Sequence, residues 1–146
     1  MSLEELVIWA AGFIDGEGSI SVYKRSDRRF EFSVRLSVVN TNIASLERLQ
    51  SLFNGSIQPL HRDTPLKNWK PSFIWVVSGR LAEVAIRQLL PYLFIKRPQA
   101  ELALEARAIT GKPFVKRTEN QLQAMEKICN QFRCLNKKGR VVLSGT

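Results

Sequence analysis

The 146-residue sequence predicts an α+β fold: an αββαββα core built on an antiparallel sheet, followed by C-terminal helices. Three observations predict it. Two separate passages alternate polar and apolar residues with the two-residue period of half-buried strands, and each runs on into a stretch with helical spacing. A leading apolar segment stops abruptly at Asp15-Gly16-Glu17-Gly18. The last third shows helical spacing interrupted by Pro and Gly, with no strand pattern.

The first helix starts near Ser2, because Ser2-Leu3-Glu4-Glu5 fits a capping box that satisfies free amides of the first turn. Leu6, Val7, Ala10, Phe13 and Ile14 fall on one face, while Ile8, Ala11, Gly12 and Asp15 form a second face of mostly small side chains. A helix apolar on both faces is buried on both. Leu6 to Ile14 is nine residues, well short of the roughly 20 that cross a bilayer, so burial between two protein bodies is expected. Gly16 and Gly18 then break the helix and let Glu17 project from its end. There the negative end of the helix dipole repels a carboxylate by a few tenths to about 1 kcal/mol, which a bound divalent cation would offset.

Residues 19–25 and 31–38 alternate strictly and predict a hairpin across the polar link Ser26-Asp27-Arg28-Arg29. Ile20, Val22, Phe32, Val34, Leu36 and Val38 should face the core. Ser19, Ser21, Tyr23, Arg25, Glu31, Ser33, Arg35 and Ser37 then share the other face, with Arg28 and Arg29 at the tip, a set suited to base edges and phosphates. Asn40-Thr41-Asn42 offers N-caps for a helix through about Phe53, with Ile43, Leu46, Leu49, Leu52 and Phe53 inward and Asn54-Gly55 as its stop.

A second strand pair follows, from Ser56 to about Arg62 and from Ser72 to about Ser78, around a wet loop holding Pro65, Lys70 and Pro71. Ser56, Gln58 and Arg62 extend the polar face, whereas Phe73-Ile74-Trp75-Val76-Val77 is too uniformly apolar to orient. The next helix should turn Leu81, Val84, Ala85, Leu89 and Leu90 inward and end before Pro91. Ile95-Lys96-Arg97-Pro98 makes a basic link, Pro98 opens a helix to about Thr110, and Gly111-Lys112-Pro113 breaks it. Thr118 begins the last helix, with Leu122, Met125, Ile128, Cys129 and Phe132 on one side, and the tail from Asn136 is expected to be extended.

Composition narrows the function. A chain of this length forms one domain able to bury about two thirds of its unfolded surface. Twenty-two Lys and Arg against thirteen Asp and Glu leave a net +9, which favours a polyanionic partner. No lipid-anchor motif, signal peptide or spanning segment points to a membrane. Cys129 and Cys134 lie five apart in one helix, hence on different faces, and are expected to be free thiols in a reducing intracellular compartment.

The stretch Ala10 to Gly18 resembles the signature of the LAGLIDADG homing endonucleases, matching at Ala11, Gly12, Ile14, Asp15 and Gly18, and conservatively at Phe13 and Glu17. The predicted order of elements resembles that family along essentially the whole chain. The resemblance implies a curved DNA-binding sheet and a pair of signature helices packed side by side, each bringing an acid to its own scissile phosphate. This chain has one signature, so it implies a homodimer in which Ile8, Ala11, Gly12 and Asp15 meet their copies about a two-fold axis. It also implies Mg2+ held by Glu17 and the Gly16 carbonyl, with Mn2+ substituting and Ca2+ binding without supporting cleavage. Glu17 stands where the signature most often has Asp.

Two further catalytic positions carry over from the resemblance. Lys96 matches the basic residue beside the active site, and Asn40, or Thr41 one register on, matches a polar residue at the catalytic water; an Arg found one turn later in relatives is replaced by Ala44. The DNA-contacting set is completed by Arg62 and Lys70 near the second hairpin loop, and His61 is expected to make a polar contact. The reading that results is a double-strand DNA endonuclease. An RNA-splicing maturase of the same fold and a non-catalytic DNA-binding module are the alternatives.

Overall fold

The computed structural model describes residues 1–24, 32–60, 70–110 and 118–136. Helix α1 (Leu3–Glu17) leads into β1 (Gly18–Lys24) and β2 (Phe32–Asn40), and α2 (Ile43–Phe53) into β3 (Ser56–Leu60) and β4 (Ser72–Ser78). Helices α3 (Gly79–Leu89), α4 (Arg97–Thr110) and α5 (Glu119–Leu135) follow, with a 3-10 turn at Leu90–Tyr92. The sheet is antiparallel throughout, in the order β1-β2-β4-β3.

One face of the sheet is packed and the other is not. Ile20, Val22, Phe32, Val34, Leu36 and Val38 are buried, as the alternation predicts, and Trp75 and Val77 of β4 join them. The strand the sequence could not orient is therefore settled: Trp75 and Val77 point inward, while the register sets Val76 beside Ser37 and Ile74 beside Val39 on the open face. Trp75 is fully buried and its indole N–H donates to the Asn54 carbonyl at 2.8 Å, so the polar end of the largest core side chain is satisfied. That contact requires the turn at Asn54-Gly55. Gly55 has φ +92°, and a Cβ there would lie 2.5 Å from the Val76 carbonyl oxygen.

Three helical faces differ from expectation. In α1 the buried residues are Val7, Ala10, Ala11 and Ile14, so Ala11 belongs to the core and not to the outer stripe with Ile8 and Gly12. In α3 the inward residues are Ala82, Ala85, Ile86 and Leu89, leaving Leu81 and Val84 exposed. Ile43 of α2 is also exposed, since Asn42 caps that helix and holds its first residue at the rim. The Ser2 cap forms, with the Glu5 amide donating to Ser2 Oγ at 3.2 Å, but the Glu5 carboxylate accepts from the Ser2 hydroxyl rather than from its backbone. At Thr118 the full reciprocal capping box with Gln121 is present.

The β1 edge is covered by α5. Asn136 Nδ2 donates to the Ile20 carbonyl at 3.0 Å, and the Cys129 thiol lies 4.0 Å from the Val22 carbonyl, so outward-pointing carbonyls of the edge strand meet helix side chains instead of another strand. Asn136 is thus anchored. The opposite edge, β3, is short and carries Pro59, which cannot donate to a further strand.

Candidate active site and nucleic-acid interface

Glu17 is the last residue of α1, and its last turn contains no basic residue. Gly18 follows with φ −86°, an ordinary extended value. Its requirement for glycine is steric, because a Cβ would come 2.8 Å from both the Ile14 carbonyl oxygen and Ile14 Cγ2. The chain therefore passes from helix to strand without a loop, and Glu17 is delivered to the margin of the sheet.

Asp15 holds the other half of the site. Its Oδ2 accepts from the Phe94 amide at 2.9 Å and its Oδ1 from the Lys96 amide at 3.0 Å. At the other end of α1, the Tyr92 hydroxyl donates to Glu4 at 3.1 Å. That hydrogen bond, then burial, then the nearby carboxylate charge raise the Tyr92 phenol above its ordinary pKa of 10.0. The segment before α4 is thus tied to α1 at two points, and Lys96 is fixed beside the helix end. Both Asp15 oxygens are engaged within the chain, so Asp15 is a loop clamp and leaves the outer stripe of α1 to Ile8 and Gly12.

Glu17 and Lys96 line one cleft of about 540 Å3, together with Gly18 and Ser19 of β1, Ser37 and Val39 of β2, and Leu135 and Asn136 at the end of α5. The two charged side chains share the cleft without an ion pair between them. Asn40 does not reach it. Its Oδ1 accepts from the Asn42 amide at 2.8 Å in a local turn that precedes the α2 cap, and this takes the place of the catalytic position expected for it. Leu135 and Asn136 were not legible as site residues, because α5 reaches the cleft through contacts with a strand more than a hundred residues earlier, and Val39 is an apolar residue beyond the stretch read as a strand.

The uncovered sheet face holds the expected hydrogen-bonding groups. Ser19, Ser21 and Tyr23 of β1 stand beside Ser37, Arg35 and Ser33 of β2, and Ser56 and Gln58 emerge from β3 on the same side. Lys70 is exposed just before β4. Arg25, Arg28, Arg29, Glu31, His61 and Arg62 lie outside the described residues, as does the chain after Asn136.

Among the described residues no group of three His, Cys, Asp or Glu side chains gathers to hold a metal. Oxygen ligands for a hard cation are nonetheless present. The Ile14 carbonyl accepts from the Gly18 amide, but the helix geometry leaves the carbonyls after it, Gly16 among them, without an intrahelical donor, and with the Glu17 carboxylate they form an anionic helix end to which no basic residue of that turn responds. This donor set suits Mg2+ but supplies only part of an octahedral shell, so other oxygens must complete it.

The LAGLIDADG endonuclease family model matches residues 10–89. The DNA endonuclease I-CvuI of Chlorella vulgaris is 31% identical over 104 residues, covering 66% of this chain and 60% of that protein. Among solved structures, I-CvuI in complex with its target in the presence of calcium superposes with TM-score 0.71 at 24% identity, over 97% of this chain and 88% of that one. The archaeal intron-encoded homing endonuclease I-Vdi141I complexed with DNA gives 0.73 at 18% identity, over 95% and 89%.

Proposed function

The chain belongs to the LAGLIDADG endonuclease family, and from that membership we propose that it is a site-specific, metal-dependent endonuclease that cuts both strands of a long, nearly palindromic DNA duplex as a homodimer. The observation that carries this reading is the convergence of Glu17 and Lys96 in one cleft at the margin of an uncovered sheet face. A duplex lying on that face presents base edges to Ser21, Arg35 and Gln58 and a backbone phosphate to the cleft. The net +9 draws it there. The relatives support DNA as the partner: I-CvuI has been crystallised with DNA targets in the presence of calcium and of magnesium, and I-Vdi141I with DNA.

Hydrolysis of a phosphodiester needs charge stabilised on the phosphoryl and leaving oxygens and a water ready to attack. Glu17 and the Gly16 carbonyl would hold Mg2+, which supplies Lewis acidity to the phosphate and lowers the pKa of a bound water. Mn2+ would substitute, and Ca2+ would bind without supporting cleavage. The Lys96 ammonium adds positive charge beside the same phosphate and orders water near it. Each chain provides one acid, so a second copy supplies the other strand's site.

Exposed apolar surface supports the second copy. Ile8 is 46% exposed, Phe94 86% and Ile95 61%, and a Cβ on Gly12 would meet nothing within 4 Å. Asp15 ties Phe94 to the end of the helix whose outer side carries Ile8 and Gly12, so the exposed apolar surface reaches the α1 terminus that delivers Glu17. Cys129 and Cys134 form no disulfide with each other, which supports an intracellular, reducing compartment.

The test is cleavage of a randomised duplex library by the purified protein with Mg2+, followed by sequencing of the broken ends. Discrete cuts at one long, near-palindromic site are expected. Absence of cutting with selective retention of structured RNA would replace this reading by a splicing role, and retention of duplex without cutting by a binding module.

A further inference from the structure

The open sheet face is not uniformly polar, and its apolar part has a definite position. The register sorts the outward side chains into cross-strand rows: Val39–Ile74–Gln58 nearest the cleft, then Ser37–Val76–Ser56, with Arg35 beside Ser78 farther out. Val39, 39% exposed, both heads the first row and lines the cleft with Glu17. Ile74 and Val76 are half-buried on the same side. Three branched side chains thus stand in adjoining positions beside the cleft, apart from the other apolar groups of the face, Tyr23 and Leu60, on a surface whose remaining positions are Ser, Gln and Arg.

We propose that Val39, Ile74 and Val76 read thymine 5-methyl groups in the base pairs flanking the cut. In the major groove the thymine 5-methyl is the one apolar group that projects from a base edge, among donors, acceptors and small C–H positions. A donor or acceptor pressed against valine or isoleucine loses its water and gains no partner, which disfavours the other bases at that position, whereas a methyl loses only contact with water. Ser37, Ser56 and Gln58 within these rows and Arg35 beyond them hold the duplex at the face, so the occupant of the stripe is that duplex. Because Val39 shares the cleft with Glu17, the thymines read are those next to the scissile phosphates. The proposal rests on the endonuclease reading and adds to it which bases the inner face selects.

The test replaces thymines of the selected target one at a time by deoxyuridine, which removes only the methyl, and measures affinity in Ca2+ with the wild-type protein. One or more positions flanking the cut should weaken binding by about fourfold per methyl, and thymines read by Arg35 and beyond should not respond. In Val39→Ser, Ile74→Ser and Val76→Ser, and in the triple variant, the preference for thymine over deoxyuridine at those positions should fall towards one. Equal affinity for thymine and deoxyuridine at every flanking position, with specific binding intact, overturns the proposal. So does a preference that survives in the triple variant while it still binds the target. Failure to bind any duplex specifically would instead overturn the endonuclease reading itself.

Discussion

At residue scale, Glu17 and Asp15 sit two positions apart and do different work. Glu17 closes α1 at the negative end of its dipole, with Lys96 in the same cleft. Glu17→Gln keeps the shape and removes the charge; DNA cutting should be abolished, specific binding in Ca2+ retained and the melting temperature unchanged. A drop in melting temperature would show that the carboxylate is needed for folding. Asp15 instead accepts from the Phe94 and Lys96 amides, and hydrogen bonds to a charged acceptor contribute about 1.5–3 kcal/mol. Asp15→Ala should lower stability by about that amount and slow single-turnover cutting more than it weakens binding, since Lys96 loses its anchor; Asp15→Asn, which keeps one acceptor oxygen, should recover part of the rate. Equal loss of rate in Ala and Asn variants at unchanged stability would assign the acid to the reaction. The sequence separates these two acids only by position: Glu17 alone lies between two glycines, and the loop that Asp15 clamps is some eighty residues away.

At element scale, β1 and β2 were fully legible because one covered face forces strict alternation, and each of their six predicted core residues is buried. In α3 the same reasoning placed Ala85 and Leu89 correctly and Leu81 and Val84 wrongly. Leu81 and Val84 weighed more by size than Ala82, yet Ala82 and Ile86 face inward with Ala85 and Leu89, where α3 meets α1, β2 and β4. β4 defeated periodicity for a different reason, since its open-face residues Ile74 and Val76 are as apolar as its buried ones. The α2–β3 junction is where local and long-range constraints meet. Gly55 combines a φ of +92° with a backbone approach that leaves no room for a Cβ, and it positions the acceptor for Trp75. Gly55→Ala should destabilise the fold by at least about 1–3 kcal/mol, measured by urea melts, with β3 exchanging its amide hydrogens faster than β1. An unchanged midpoint would mean that the turn shifts without loss, contrary to its contact with the Val76 carbonyl.

At the scale of the whole molecule, one chain carries one acid at one helix end, and the outer surface of that helix carries Ile8, open space over Gly12 and the exposed Phe94 and Ile95. A chain of net +9 repels its copy, so close apposition needs either this apolar surface or bound DNA to offset the charge. Phe94→Asp adds a charge to that surface and should yield a species of 16.6 kDa by sedimentation where the wild type is twice as heavy. The stoichiometry of the reaction can be read without disturbing the interface. If double-strand cutting needs Glu17 from both copies, then mixing wild type with Glu17→Gln, refolded together so that chains exchange, should reduce double-strand breaks as the square of the wild-type fraction while nicked product rises at intermediate ratios. A strictly linear fall, with no nicked product, would mean that one chain cuts both strands by itself, and the second copy would then serve binding alone.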